Sequence, residues 1–176
     1  MKIFVIGHGR HGKDTVGEVI RDMTGLTFES SSMFCAEHVV TPWLEKLGIT
    51  YDSLDECYED RVNHRVEWYN AIRAFNENDE SKLSAAIFAS YDMYVGIRSR
   101  VEFIASRHLS DMAIWVEAGK RVPQVDPTCK ILATDCDIII DNNGTEEELI
   151  EKIERLFALI LGSSYENLHS KLSTLI

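Results

Sequence analysis

The sequence is short of basic charge, of proline and of long apolar runs. Eighteen Lys and Arg stand against 29 Asp and Glu, a formal net charge of −11. A protein that grips duplex DNA through its phosphates usually carries a basic surface, so this balance argues against tight non-specific nucleic-acid binding. It leaves room for a local basic cleft or a small phosphorylated ligand. Three prolines and ten glycines exclude a collagen-like or low-complexity chain, and a 45% hydrophobic content excludes a disordered tail. No run of 18 apolar residues occurs, so no segment reads as a membrane span. The opening Met1-Lys2-Ile3-Phe4-Val5-Ile6 is too short for a signal peptide and runs straight into glycines, so none is expected. Cys35, Cys57, Cys129 and Cys136 form no C-x-x-C pair and no metal spacing. Reduced thiols in a cytoplasmic protein are the expectation.

What is present is an alternation of strand-like and helix-period segments over 176 residues, the length of a single domain spanning 1–176. The spacing predicts strands over 2–6, 26–28, 92–97, 112–116 and 137–141. Val16, Val19, Ile20 and Met23 recur at helical intervals, with Gly25 just past the end. A long helical region is expected from Ser32 to Ser90, broken near Gly48 and around 76–79, with Val62, Val66, Tyr69 and Ile72 on one face. A further helix is expected over 101–109, and Pro123 and Pro127 mark a loop. Thr145 and Glu148 make a capping box, with Glu146 and Glu147 at the positive end of the helix they open. The tail from Gly162 reads as a last amphipathic helix. Strands alternating with helices, and nearly continuous apolar strands, predict an α/β fold: a five-stranded parallel sheet with helices on both faces.

The strongest chemical signal is Gly7-His8-Gly9-Arg10-His11-Gly12-Lys13-Asp14-Thr15, a G-x-x-x-x-G-K loop between a strand and a helix. Glycines let the backbone curl so that successive N–H groups point inward at phosphate oxygens. The following helix adds the partial positive charge of its N-terminus. Lys13 adds a full charge on the β- and γ-phosphates. The pattern predicts a nucleoside triphosphate site built from residues 7–15. A dinucleotide-binding turn is the rival, and Glu29 after the second strand fits its ribose-binding acid, but a lysine at the helix start belongs to triphosphate chemistry. An ordinary glycine-rich turn is the bland alternative.

Asp14 departs from the usual Ser or Thr after the lysine. With Thr15 it is a candidate Mg²⁺ ligand, since Mg²⁺ prefers oxygen donors, and its carboxylate is also a candidate base for an attacking hydroxyl. Negative charge on the first helical turn is its simplest role. His8 and His11 are further candidate bases, or phosphate and loop-conformation residues.

Gly12-Lys13-Asp14-Thr15 resembles the loop of bacteriophage deoxynucleoside monophosphate kinases and related small P-loop kinases. The run Asp137-Ile138-Ile139-Ile140-Asp141-Asn142-Asn143-Gly144, leading into an acidic helix, is similar to theirs, and so is Tyr94-Val95-Gly96-Ile97-Arg98-Ser99-Arg100-Val101-Glu102. The resemblance implies a P-loop kinase fold with ATP and Mg²⁺ as cofactors, and a backbone near the adenine at Asn142 and Gly144. Gly96 departs from it, standing where those kinases carry an acidic residue. That puts the metal work on Asp14, with Glu117 as another candidate. The G-K-D-T loop and Val95-Gly96-Ile97-Arg98-Ser99 also resemble phage kinases that phosphorylate 5-hydroxymethyluracil in DNA, a step in thymidine hypermodification. A viral protein of that kind works in the host cytoplasm.

A kinase needs cations around the moving phosphoryl group. Arg98, Arg100, Arg107, Lys120 and Arg121 follow the third and fourth strands, where ligands bind in such sheets, and Arg98 and Arg121 are the leading candidates. It also needs an acceptor site. Ser30 and Ser32 follow the second strand, with Ser31 or Ser32 also suited to cap a helix. Arg61 and Arg65, four apart, suit an acceptor phosphate or a DNA backbone, and equally a solvated helix face with Arg73. Trp68 and Tyr69 suit base stacking or the core, and Trp115 suits the core. A phosphate acceptor is already ionised, whereas an alcohol acceptor must lose a proton, so Glu29 and Asp14 are candidate bases. The expected partners are a triphosphate donor and either modified DNA or a deoxynucleotide. The main rival class is a slowly hydrolysing nucleotide switch, but the N-K-x-D base-reading motif of GTPase switches is missing.

Overall fold

The computed structural model describes residues 1–123 and 126–162. The expected tail helix lies almost wholly outside them. Five strands, β1 (Ile3–Ile6), β2 (Phe28–Ser30), β3 (Met93–Val95), β4 (Met112–Glu117) and β5 (Ile138–Asp141), form one parallel sheet in the order β2-β3-β1-β4-β5. Both neighbours of β1 come later in the chain, so the turn after β1 lies at the sheet centre. That is where ligands bind in open parallel sheets.

Side-chain alternation sorts the strands between two cores. Ile3, Val5, Met93, Val95, Ile114 and Val116 face one side, under α1 (Lys13–Thr24) and α8 (Glu146–Leu161). Phe4, Ile6, Tyr94, Ala113 and Trp115 face the other. There they meet α2 (Ser31–Cys35), α3 (Thr41–Lys46), α4 (Leu54–Glu59), α5 (Arg65–Phe75), α6 (Lys82–Ser90) and α7 (Arg100–Ser106). The five-stranded parallel α/β fold is thus as the sequence predicts. Ile139 is half exposed because β5 is an edge strand. The Thr145–Glu148 capping box is present in both directions. No helix among the described residues is long and apolar enough to cross a membrane.

Several expectations need correction. The second strand starts later, at Phe28, because Asp92 binds the Thr27 N–H and hydroxyl (both 3.0 Å) and sets the register Phe28↔Met93. The third is shorter than 92–97, since Gly96 leaves extended geometry at φ +99°. The long helical region is five helices. A π-helical turn over Ala36–Val40 separates α2 from α3, and a 3₁₀ turn over Asp60–Val62 precedes α5. Of the apolar face assigned to this region, Ile72 packs against the core as expected, but the other three residues do not. Val66 is 67% exposed and Val62 and Tyr69 are exposed too, whereas Trp68 and Ala71 face the core. Within α5 the buried side runs through Trp68, Ala71 and Ile72, and Val62 lies outside it in the 3₁₀ turn.

The 3₁₀ turn Ala133–Asp135 is tied to α7 by a two-point ion pair. Arg100 Nε and Nη2 donate to the two carboxylate oxygens of Asp135 at 2.8 and 2.7 Å. Arg100, with the Leu132 N–H, holds the Asp135 carboxyl at about 2, below its ordinary 3.8. A depressed acid stabilises the fold above its unfolded value and loses that contribution as pH falls through its folded one. Asp135→Asn is therefore expected to be less stable than the native chain at pH 7, with the gap closing between about pH 4 and pH 2. Urea melts along that series check it, and a gap that stays constant rejects it.

Candidate active site

Residues 7–12 link the end of β1 to the start of α1. Two bends require a left-handed backbone, at Arg10 (φ 64°) and Gly12 (φ 86°). The loop is braced from outside. Gly7 passes so close to β4 that a methyl group there would lie 2.7 Å from the Val116 carbonyl. Asn142, after β5, donates from Nδ2 to the His11 carbonyl at 2.9 Å.

His11 is 1% exposed. Its Nδ1 accepts the Ala118 N–H at 3.1 Å, which makes Nε2 the donor to the Val122 carbonyl at 3.3 Å. Both ring nitrogens are thus spent on the backbone after β4, so the side chain braces the loop and is not placed to act as a base. His8 packs edge-on to His11 and Trp115, and burial pushes its pKa down.

Lys13 bends back over the loop, its Nζ 2.8 Å from the His8 carbonyl. It is half-buried, and loss of water lowers its pKa despite the nearby Asp14. A lysine held against its own hydration is a suitable partner for an anion. Beside it is a cleft of about 360 Å³ lined by Arg10, Gly12, Lys13, Asp14, Thr15, Arg121, Asn142 and Gly144, with Glu146 and Leu149 from α8. The structure therefore brings together, from three separate segments, most of the residues expected to hold the donor. Arg121 is set by the turn after β5: its N–H and that of Lys120 bond Asn143 Oδ1, and its Nε bonds the Asn142 carbonyl at 3.3 Å.

No protein-family model and no curated protein matches the chain. Solved structures do match. TT1252 from Thermus thermophilus aligns over 90% of this chain and 96% of its own, with a TM-score of 0.53 and 13% identity. A sugar kinase from Janibacter sp. HTCC2649 aligns over 94% and 96%, with a TM-score of 0.47 and 16% identity. Shikimate kinase from Aquifex aeolicus aligns over 93% and 100%, with a TM-score of 0.48 and 14% identity. The likeness to TT1252 is one of fold; the other two superpose too loosely to add to it.

On the other side of Lys13, Gly96 brings the end of β3 close: a methyl group there would lie 3.1 Å from Ser31 Oγ and 4.0 Å from Lys13 Cε. At φ +99° any L side chain here is strained and would press on Ser31 Oγ, so the backbone suits glycine rather than the expected acidic residue. Of the serines expected on the acceptor side, Ser31 thus sits beside the end of β3. Ser30, and not Ser31 or Ser32, caps α2: its Oγ accepts the Met33 N–H at 3.3 Å and lies 3.4 Å from Ser32 Oγ. Glu29 accepts the Ser30 N–H at 2.8 Å.

Glu117 accepts from the Trp115 indole (3.0 Å) and the Gly119 N–H (2.6 Å). Burial pushes its carboxyl up, but these bonds hold it below the usual value. Both oxygens are engaged, so it reads as a brace. Arg61 and Arg65 are not on one helix: Arg61 lies in the 3₁₀ turn, its guanidinium 3.8 Å over the Tyr58 ring and bonded to the Tyr58 carbonyl. Neither lines the cleft.

Sequence reasoning missed two contributors. Asn143 holds the 120–121 backbone, a role hinted at only by the Asn-Asn-Gly turn. Asp126, in a segment read as plain loop, reaches Arg98 and the phosphate loop; its sole signal was its place between two prolines.

Proposed function

We propose that the chain is an ATP- and Mg²⁺-dependent phosphotransferase acting on a deoxypyrimidine, the acceptor being the 5-hydroxymethyl group of 5-hydroxymethyluracil in DNA. The observation that carries this reading is the braced loop with Lys13 folded over it, a cradle for a polyphosphate at the centre of a parallel sheet. The loop amides and Lys13 bind the terminal phosphates. Arg121 lies along the donor cleft, and Arg98 at the end of β3 meets the charge that develops on transfer. Asn142 and Gly144 border the base of the donor. Ser30, Ser32 and Glu29 lie on the acceptor side.

The donor set suits Mg²⁺. Among the described residues no cluster of three or more His, Cys, Asp or Glu could enclose a metal, whereas Asp14 and Thr15 line the donor cleft together. Mg²⁺ is commonly held by one or two protein oxygens, with phosphate and water completing its shell. When bound it neutralises charge on the β- and γ-phosphates.

The net charge of −11 favours a second acceptor, a free deoxynucleoside monophosphate, over a polyanion. Labelled ATP offered with hydroxymethyluracil DNA in one reaction, and with a panel of deoxynucleoside monophosphates in another, separates the two. Label on the polymer is the expected result. Label on the monomers alone removes the DNA acceptor, and label on neither removes the phosphotransferase.

A further inference from the structure

Asp126 begins a tight turn that locks its own side chain. Its Oδ1 accepts from the Thr128 N–H (2.9 Å) and hydroxyl (2.6 Å), and its carbonyl accepts the Cys129 N–H at 3.1 Å. The turn is fastened to the end of β3. Lys130 N–H donates to the Arg98 carbonyl at 2.8 Å, and Arg98 Nη1 donates to Thr128 Oγ1 at 2.9 Å. With Oδ1 saturated, Oδ2 is left facing the phosphate loop. It lies 3.5 Å from Arg98 Nη1, and a methyl group placed on Gly9 would be 3.6 Å from it. The Asp126 side chain is only 16% exposed.

A carboxylate fixed beside an anion cradle works against anion binding unless it has a task there. Burial raises the Asp126 pKa, but the Thr128 bonds, Arg98 and Lys13 hold it below the usual carboxylate value, so it is ionised at neutral pH. Arg98 and Lys13 are the same cations that the phosphotransfer reading assigns to the terminal phosphates. Once they turn to phosphate, Oδ2 is an open acceptor atom next to the group being transferred. The rival carboxylates lie elsewhere, at the end of β2 and on the first turn of α1. Glu29 is bonded to the Ser30 N–H, and Asp14 lines the donor cleft.

We infer that Asp126 is the catalytic base of the phosphotransfer, and that the acceptor is therefore a neutral alcohol and not a phosphate. The inference rests on the phosphotransferase reading. In the step, the acceptor O–H bond breaks and its proton passes to Asp126 Oδ2. The freed oxygen forms the new bond to the γ-phosphorus. The bond from that phosphorus to the β-bridging oxygen breaks, and its electron pair leaves with the nucleoside diphosphate. A phosphate acceptor is already ionised and needs no such proton acceptor.

The test is Asp126→Asn, which keeps the shape and the Oδ1 bonds to Thr128 while removing the basic oxygen. Single-turnover transfer from labelled ATP to hydroxymethyluracil DNA is expected to slow by about 10²–10⁴-fold. ATP affinity, measured by titration on the same preparation, is expected to hold or tighten, which also shows that the variant is folded. Asp126→Glu is expected to recover part of the rate. An unchanged rate in Asp126→Asn overturns the inference, as does a tighter ATP complex at an unchanged rate, which makes Asp126 a counter-ion only. Loss of ATP binding in step with the rate also overturns it, making Asp126 a loop brace. In those cases a wild type that still transfers phosphate leaves the phosphotransferase reading standing; a wild type that transfers to no acceptor removes both.

Discussion

Lys13→Ala is expected to lower phosphate transfer by about 10²–10³-fold and to weaken ATP binding, with the fold intact. The argument is electrostatic. Lys13 makes one hydrogen bond, to the His8 carbonyl, and its ammonium is held where burial disfavours charge. Such a group contributes little to folding, because much of what the bond gains is lost in desolvation. With a triphosphate in the loop the balance reverses, since the same poor solvation strengthens attraction to the anion. A thermal melt of the variant should therefore match the native chain in the absence of nucleotide, while the stabilisation that ATP gives the native protein largely disappears. Normal turnover in this variant would remove the role given to residues 7–15.

Much of this was legible in the sequence because local chemistry dictates it. Gly12, Lys13, the capping box at Thr145 and the apolar run Ile3–Ile6 each carry their own signal, and the fold follows from their alternation. The central helical region was not legible in the same way. Val62, Val66, Tyr69 and Ile72 have helical spacing, but which face is buried depends on what packs against it: Ile72 joins Trp68 and Ala71 at the core, and the other three are exposed. Contacts between distant segments were equally hidden. Nothing in the letters says that the His11 ring will bond the backbone of residues 118 and 122, or that Asp126 will turn back onto Arg98. The site is built from the loop after β1 and from the segments after β3, β4 and β5, which only the parallel topology brings to one edge.

That dependence on distant braces sets the outcome of Gly12→Ala. At φ +86° any L side chain is strained, by about 1–2 kcal/mol. The added methyl would also sit 2.4 Å from Asn142 Nδ2. Asn142 cannot simply swing aside. It is buried, its amide nitrogen holds the His11 carbonyl, and its backbone N–H holds the Glu117 carbonyl at 2.7 Å. Moving it leaves a buried carbonyl without its donor, at about 1–3 kcal/mol. The combined loss is about 2–5 kcal/mol, and the displaced loop should lose ATP affinity as well. Pairing the change with Asn142→Ala identifies the cause, because the double variant removes the clash and keeps only the backbone strain and the orphaned carbonyl. Urea denaturation of the two single variants and the double variant should then give a double loss smaller than the sum of the singles. Additive losses would mean that Asn142 does not press on Gly12, and the loop would owe its shape to its own glycines and to His11.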